Sequence, residues 1–231
     1  MLQLTDKKKN FFLYLFLFLL LSTLTNKNLN TKKNHSIKIN QLEVHGLSEE
    51  GNFKVYRDLE PLLYSNILFI KKNQFIKILK KNNLIDTFLI QKKYPNLITV
   101  NIKKTDFLAI TNIDNKKFII GSNGKLIQFT DLIDPENKLP FVFGRVNLVN
   151  FIDFKKIIDE SEFKFETIES FYYYPSSRWD IKTKDKVLIK LPENNLSNTL
   201  KIMHSIFLNE TFKKNKILDL RIVNNIITSN D

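Results

Sequence analysis

Cysteine is absent from this 231-residue chain. That excludes disulfides, thiolate metal sites and a cysteine nucleophile, so stability must come from a packed core, while an oxidising compartment stays permitted. Glycine is scarce at five residues, proline occurs six times and histidine three. His35, His45 and His204 show no metal-ligand spacing, and neither an HExxH nor a GxSxG pattern occurs. The segment Gly121-Ser122-Asn123-Gly124-Lys125 lacks the GxxxxGK[ST] spacing of a phosphate loop and joins two apolar runs as a turn. Asp159, Glu160, Glu162, Glu166 and Glu169 spread over a helix end, a loop and a strand, a pattern of capping and solvation rather than of an acid/base pair. No catalytic constellation, cofactor site or metal site is expected.

Long apolar runs are also missing, with one exception. Phe11 to Leu21 carries no charge, follows Lys7-Lys8-Lys9 and precedes some 200 residues of mixed sequence. About 15 residues span roughly 22 Å, a length that suits a signal-peptide core. Ser22-Thr23-Leu24-Thr25-Asn26 offers no small-residue cleavage site, however. The reading adopted is an uncleaved anchor over residues 11–25, with Phe11, Leu15, Phe18 and Leu21 in the membrane. Residues 1–10 would be a cytoplasmic tail and the C-terminal bulk would lie outside.

The formal net charge is +12, which raises nucleic-acid binding as a class. The lysines lack aromatic interleaving and fall at element ends, as in Lys71-Lys72, Lys80-Lys81 and Lys213-Lys214. Abundant Lys, Asn, Ile and Phe beside few Ala, Gly and Arg are what AT-rich coding produces, so nucleic acid is not an expected partner.

Residues 26–36 are polar and aperiodic, a linker. Ile37, Ile39, Leu42 and Val44 then mark a strand ending at Gly46. Val55, Leu59, Leu62 and Leu63 have helical spacing interrupted by Pro61, and a second helix over 73–82 aligns Phe75, Ile76 and Leu79. Phe88 and Ile90 precede the turn Tyr94-Pro95-Asn96, after which Ile98, Val100 and Ile102 alternate. Beyond residue 104 hairpins follow, with turns at Asp114-Asn115 and at Asn123-Gly124, both of whose residues tolerate positive φ. A helix over 150–159, capped by Asn150, carries Phe151, Phe154 and Ile158. Strands are expected over 168–174, 179–182 and 187–191. Leu196, Leu200, Met203 and Phe207 stripe a further helix, and Ile217–Val223 and Ile226-Ile227 close the chain.

Several motifs, in order, resemble the bacterial cell-division FtsQ (DivIB) family. Ile39-x-x-Leu42-x-Val44-x-Gly46 is similar to the opening strand of its POTRA domain, and Tyr94-Pro95-Asn96-Leu97-Ile98-Thr99-Val100-Asn101-Ile102 to the segment leaving that domain. Ala109 with Phe118-Ile119-Ile120-Gly121-Ser122-Asn123-Gly124-Lys125 resembles the start of the family's β domain. Leu139-Pro140-x-x-x-Gly144, Arg178-Trp179 with Val187-x-x-x-Leu191, and Asp219-Leu220-Arg221 resemble its later motifs. Lys104-Thr105-Asp106-Phe107 stands where members carry Glu-Arg-x-Pro, so no role is carried over there.

The resemblance implies an α+β chain: a single transmembrane helix, a βααββ POTRA domain over 37–104, and an antiparallel β domain over 105–229 with helices on one face. It further implies a non-enzymatic inner-membrane scaffold, N-terminus cytoplasmic and main domain periplasmic, that recruits FtsB- and FtsL-type partners to the septum. Other divisome components would dock on the POTRA domain. A last strand can leave an open edge for a partner strand. The residues expected at that contact are Arg221, Ile222, Val223, Ile226 and Ile227, with Arg178 and Trp179 in support; Arg221 alternatively forms a salt bridge within the sheet, and Trp179 lies in the core. Competing readings are another envelope POTRA protein, for transport or assembly, and a secreted protein released by signal cleavage.

Overall fold

The computed structural model describes residues 7–23, 37–129, 139–145, 147–208, 216–222 and 225–229. The apolar run forms helix α1, Lys7–Thr23, of 17 residues. That is about 26 Å, short of a hydrocarbon core of roughly 30 Å. No helix among the described residues is long and apolar enough to cross a membrane. This overturns the transmembrane helix expected over 11–25: the helix ends at Thr23, and Leu24 and Thr25 lie outside the described residues. Phe11, Leu15, Phe18 and Leu21 are all exposed along it.

The next unit follows the expected order of strand, two helices and two strands. It comprises β1 (Gln41–His45), α2 (Glu49–Leu59), α3 (Lys72–Leu79), β2 (Ile85–Lys93) and β3 (Leu97–Lys104). β3 is central, parallel to β1 and antiparallel to β2. The Ser48 side chain accepts a hydrogen bond from Gly51 N and so caps α2. Pro61 falls in a 3₁₀ turn, Glu60–Leu62, that ends the helix where a missing N–H can be tolerated. Val55 and Leu59 of α2 and Phe75 and Leu79 of α3 are buried with Ile85, Ile90, Ile98, Val100 and Ile102. The sheet begins at Gln41 rather than Ile37. Residues 37–39 pair instead with the segment after the 3₁₀ turn: Ile39 N donates to Ser65 O, Tyr64 N to Ile39 O and Ile67 N to Ile37 O. At Gly46 φ is +111°, and a Cβ there would sit 1.7 Å from Ile102 O. Only glycine lets β1 leave the sheet so close to β3.

The second unit is built on β4 (Phe107–Ile113), β5 (Lys116–Gly121), β6 (Leu126–Gln128), β7 (Phe141–Phe143), α4 (Leu148–Asp159), β8 (Ile168–Tyr173), β9 (Trp179–Thr183), β10 (Leu188–Lys190), α5 (Leu196–Leu208), β11 (Ile217–Asp219) and β12 (Ile227–Ser229). They form one nine-stranded sheet in the order β12-β11-β10-β9-β8-β7-β4-β5-β6. The sheet is mixed, not antiparallel as expected: β4/β7, β7/β8 and β10/β11 are parallel. For the last two pairs the reason lies in the helices. α4 connects β7 to β8 and α5 connects β10 to β11, and a helical crossover returns the chain in the direction it left.

Two local expectations also change. The N-cap of α4 is Asn147, whose side chain accepts from Val149 N at 2.9 Å, whereas Asn150 Nδ2 donates to Tyr173 Oη. At the hairpins, Asp114 and Asn115 both adopt positive φ, but in the next turn only Gly124 does. Asn123 is used differently. Its Nδ2 donates to Asn83 O and Ile85 O, both at 3.0 Å, while Asn83 Nδ2 donates to Leu126 O at 2.7 Å. These reciprocal bonds tie the turn of the larger sheet to the approach of β2.

Phe151, Phe154 and Ile158 of α4 and Leu200, Met203 and Ile206 of α5 share one core with Phe171, Trp179, Ile181, Ile189 and Leu218 of the sheet. The side chain of Phe207, the fourth member of the expected stripe, lies outside the described residues.

Candidate functional site: the β9 to β12 edge

Strand alternation sorts the residues of this region onto two faces. Phe171, Ile181, Ile189 and Leu218 are aligned across β8 to β11 and belong to the core beneath the helices. The neighbouring row, Tyr172, Asp180, Lys190, Asp219 and Ile227, faces the other way across β8 to β12. β12 closes this end of the sheet, and among the described residues it has a strand neighbour on one side only.

Two members of this row, Asp180 and Asp219, each pair with an arginine two residues away. Asp180 is almost wholly buried, and Arg178 Nε donates to its Oδ1 at 3.3 Å while the guanidinium lies 4.3 Å from the centre of the Tyr174 ring. Burial, and then the Asp180 carboxylate, push the Tyr174 phenol above its ordinary pKa. Arg221 wraps back on Asp219: Nε reaches Oδ1 at 2.8 Å and Oδ2 at 3.0 Å, Nη2 reaches Oδ2, and the backbone N donates to Oδ1 at 3.1 Å. The Arg221 hydrogen bonds hold the Asp219 carboxyl below its usual range, and the same contact raises Arg221. Such forked pairs fix orientation as well as charge. The clip orients the chain as it leaves β11.

The expected contact residues separate on this framework. Arg221 stands immediately after β11, exposed, with its fork engaged within the sheet. Ile222 and Ile226 are exposed but lie in the connection before β12, where Asn225 N donates to Ile222 O. Ile227 opens the edge strand and is 52% exposed. Val223 lies outside the described residues. Arg178 belongs to the β8–β9 turn, and Trp179 points into the core, stacked on Phe154 at 4.8 Å.

Sequence reasoning missed Asp180 and Asp219 as Arg partners and the cavity beside them. The i, i+2 spacing of Asp219 and Arg221, and of Arg178 and Asp180, was the available signal, since it puts both members on one side of an extended chain. A 240 Å³ cavity adjoins the edge, bordered by Asn195, Thr199 and Ile202 near the start of α5 and by Leu220, Ile222 and Ile226. Long-range packing of α5 makes it, and no local pattern announces it. Among the described residues no group of His, Asp and Glu is placed to hold a metal ion.

Comparison with known proteins gives this geometry its context. The family model for the cell division protein FtsQ/DivIB, C-terminal, matches residues 109–221. The cell division protein FtsQ of Rickettsia felis is 26% identical over 161 residues, covering 68% of this chain and 59% of that protein. FtsQ of Rickettsia prowazekii is 25% identical over 182 residues, covering 77% of this chain and 67% of that protein. The chain thus spans about three fifths of the Rickettsia felis relative's length. The major extracytoplasmic domain of the trans isomer of DivIB from Geobacillus stearothermophilus aligns with a TM-score of 0.32 at 12% identity, over 44% of this chain and 88% of that one. Residues 109–221, where the sheet and its Asp219–Arg221 clip lie, thus match the C-terminal domain of the FtsQ/DivIB cell division proteins.

Proposed function

We propose that the chain is a non-enzymatic scaffold of the division septum whose sheet edge recruits FtsB- and FtsL-type partners outside the cytoplasm. The observation that carries this is the position of β12, last in the order of a nine-stranded sheet. An edge strand offers backbone groups to a partner strand, and side chains on alternate positions supply selectivity. Ile227 is the apolar contact on the strand, and Ile222 and Ile226 lie on the approach to it. Arg221, by exchanging Asp219 for a partner carboxylate, supplies charge beside the edge, with Arg178 and Trp179 in support further into the sheet, at β9. Residues 37–104 act as a POTRA domain and 105–229 as the β domain, the first offering a separate surface to other division components.

The test is a binding titration of the chain against the extracytoplasmic segment of its FtsB-type partner. Successive backbone N–H groups of a strand point to opposite sides, so a proline at either 227 or 228 removes an outward donor. One of Ile227→Pro and Thr228→Pro is expected to abolish binding. Wild-type affinity in both variants, each shown to be folded, would rule out the edge.

A further inference from the structure

A second surface lies on the smaller unit, far along the chain from the edge strand. The turn at residues 64–70 carries Tyr64, Leu68 and Phe69 to the outside, 72, 49 and 79% exposed. Their neighbours Ile67 and Ile70 are buried in the core beneath. The turn is held from within. Asn66 Oδ1 accepts from Leu68 N at 2.9 Å, Asn66 O accepts from Phe69 N and Ile70 N, and Lys92 Nζ donates to the carbonyls of Ile67 and Ile70 at 2.7 and 2.9 Å. Three large apolar side chains are thus presented by a fixed backbone, which lowers the ordering cost of any contact they make. Such a patch marks an interaction site.

Charge and chain connection identify the occupant. Exposed Lys71 and Lys72 follow the turn, and exposed Lys38 is bridged to Asn66 within it. Residues 61–85 contain five lysines and no acidic residue, and residues 7–42 contain seven lysines and none. Ile67 N donates to Ile37 O, so the turn adjoins the point to which 13 residues, 24–36, connect α1. Those residues reach at most about 45 Å. The uncharged Phe11–Leu21 run is therefore tethered within that distance of the turn. A surface that accepts aromatic and leucine side chains, attracts lysine and also accommodates an uncharged apolar helix is a bilayer with anionic headgroups. We propose that the 64–70 turn, with Lys38, Lys71 and Lys72, docks on an anionic lipid surface and sets the orientation of the smaller unit on it. This inference does not depend on the division reading.

Because the chain has no native cysteine, Phe69→Cys in the full chain takes a single environment-sensitive fluorophore. On phosphatidylglycerol/phosphatidylcholine vesicles the label is expected to shift to the blue and to be quenched by lipids carrying a shallow spin label. A label at Ile202→Cys on α5 stays unshifted on the same vesicles, which separates docking of the turn from attachment through α1. Lys71→Glu with Lys72→Glu should weaken the response at position 69 by roughly tenfold or more, from the loss of two basic contacts near the surface. Four results would overturn the proposal: no shift at 69 on vesicles that hold the chain, an equal shift on pure phosphatidylcholine, indifference to the two lysine changes, or a shift that needs an added soluble protein. A far-UV spectrum and melting curve of each variant establish that it is folded.

Discussion

Truncating Trp179 measures how far the larger sheet stands on its own core. The indole is 3% exposed and contacts four rings: Phe154 at 4.8 Å and nearly parallel, Tyr173 at 4.7 Å, Phe151 at 6.1 Å and Phe171 at 6.3 Å. Trp179→Ala empties an indole-sized volume between α4 and β8–β9, and a change of that kind costs about 3–5 kcal/mol. With a urea slope of about 2 kcal/mol/M for a unit of this size, the midpoint falls by about 2 M. Trp179→Phe keeps an aromatic face against Phe154 and should lose well under half of that. Trp179 is the sole tryptophan, so unfolding is followed by far-UV circular dichroism, with hydrogen exchange at Ile181 and Ile189 reporting the larger core and at Ile98 and Val100 the smaller. Protection should fall at the first pair and hold at the second. An unchanged midpoint, or equal losses in both cores, would refute the assignment of Trp179 to a separate core in the larger unit.

Three further outcomes are expected. Gly46→Ala forces a Cβ against Ile102 O at a φ unsuited to L side chains, and should destabilise the β1–β3 pairing by more than about 2 kcal/mol, read as a lower melting temperature. Asn123→Ala removes the donors to Asn83 O and Ile85 O and should cost about 1–3 kcal/mol, visible as faster amide exchange around residues 83–85 while the cores stay protected. The Asp219 carboxyl is held below its ordinary pKa by Arg221. Its stabilisation is therefore present above the unfolded carboxylate range and is lost as pH falls through the depressed value. Asp219→Asn should flatten the acid limb of the stability profile, and a carboxyl titration of Asp219 by NMR at the unperturbed position would contradict the clip.

The order of elements was legible from local pattern. Alternation at Ile98, Val100 and Ile102, the helical stripes of Phe151, Phe154 and Ile158 and of Leu200 and Met203, and the Asp114-Asn115 turn each act over a few residues, where backbone preference and apolar period agree. Arg221 was legible as a candidate from Asp219-Leu220-Arg221, though its engagement with Asp219 was visible only once β11 fixed the two side chains on one side. Pairing was not legible. Whether β7 lies beside β8, and whether β10 runs parallel to β11, depends on where the α4 and α5 crossovers return the chain, and that is settled by the core they share. Asn123 shows the same division at a single residue. Its sequence context promised a positive φ, but the nearby carbonyls of Asn83 and Ile85 engage its side chain instead. The sequence alone determined which segments are extended, which are helical and which face of each is apolar, because those depend on neighbours in the chain. Only the tertiary structure decided strand order, the place of β12 at the end of the sheet among the described residues, and the α5 cavity, because those depend on residues brought together from far apart.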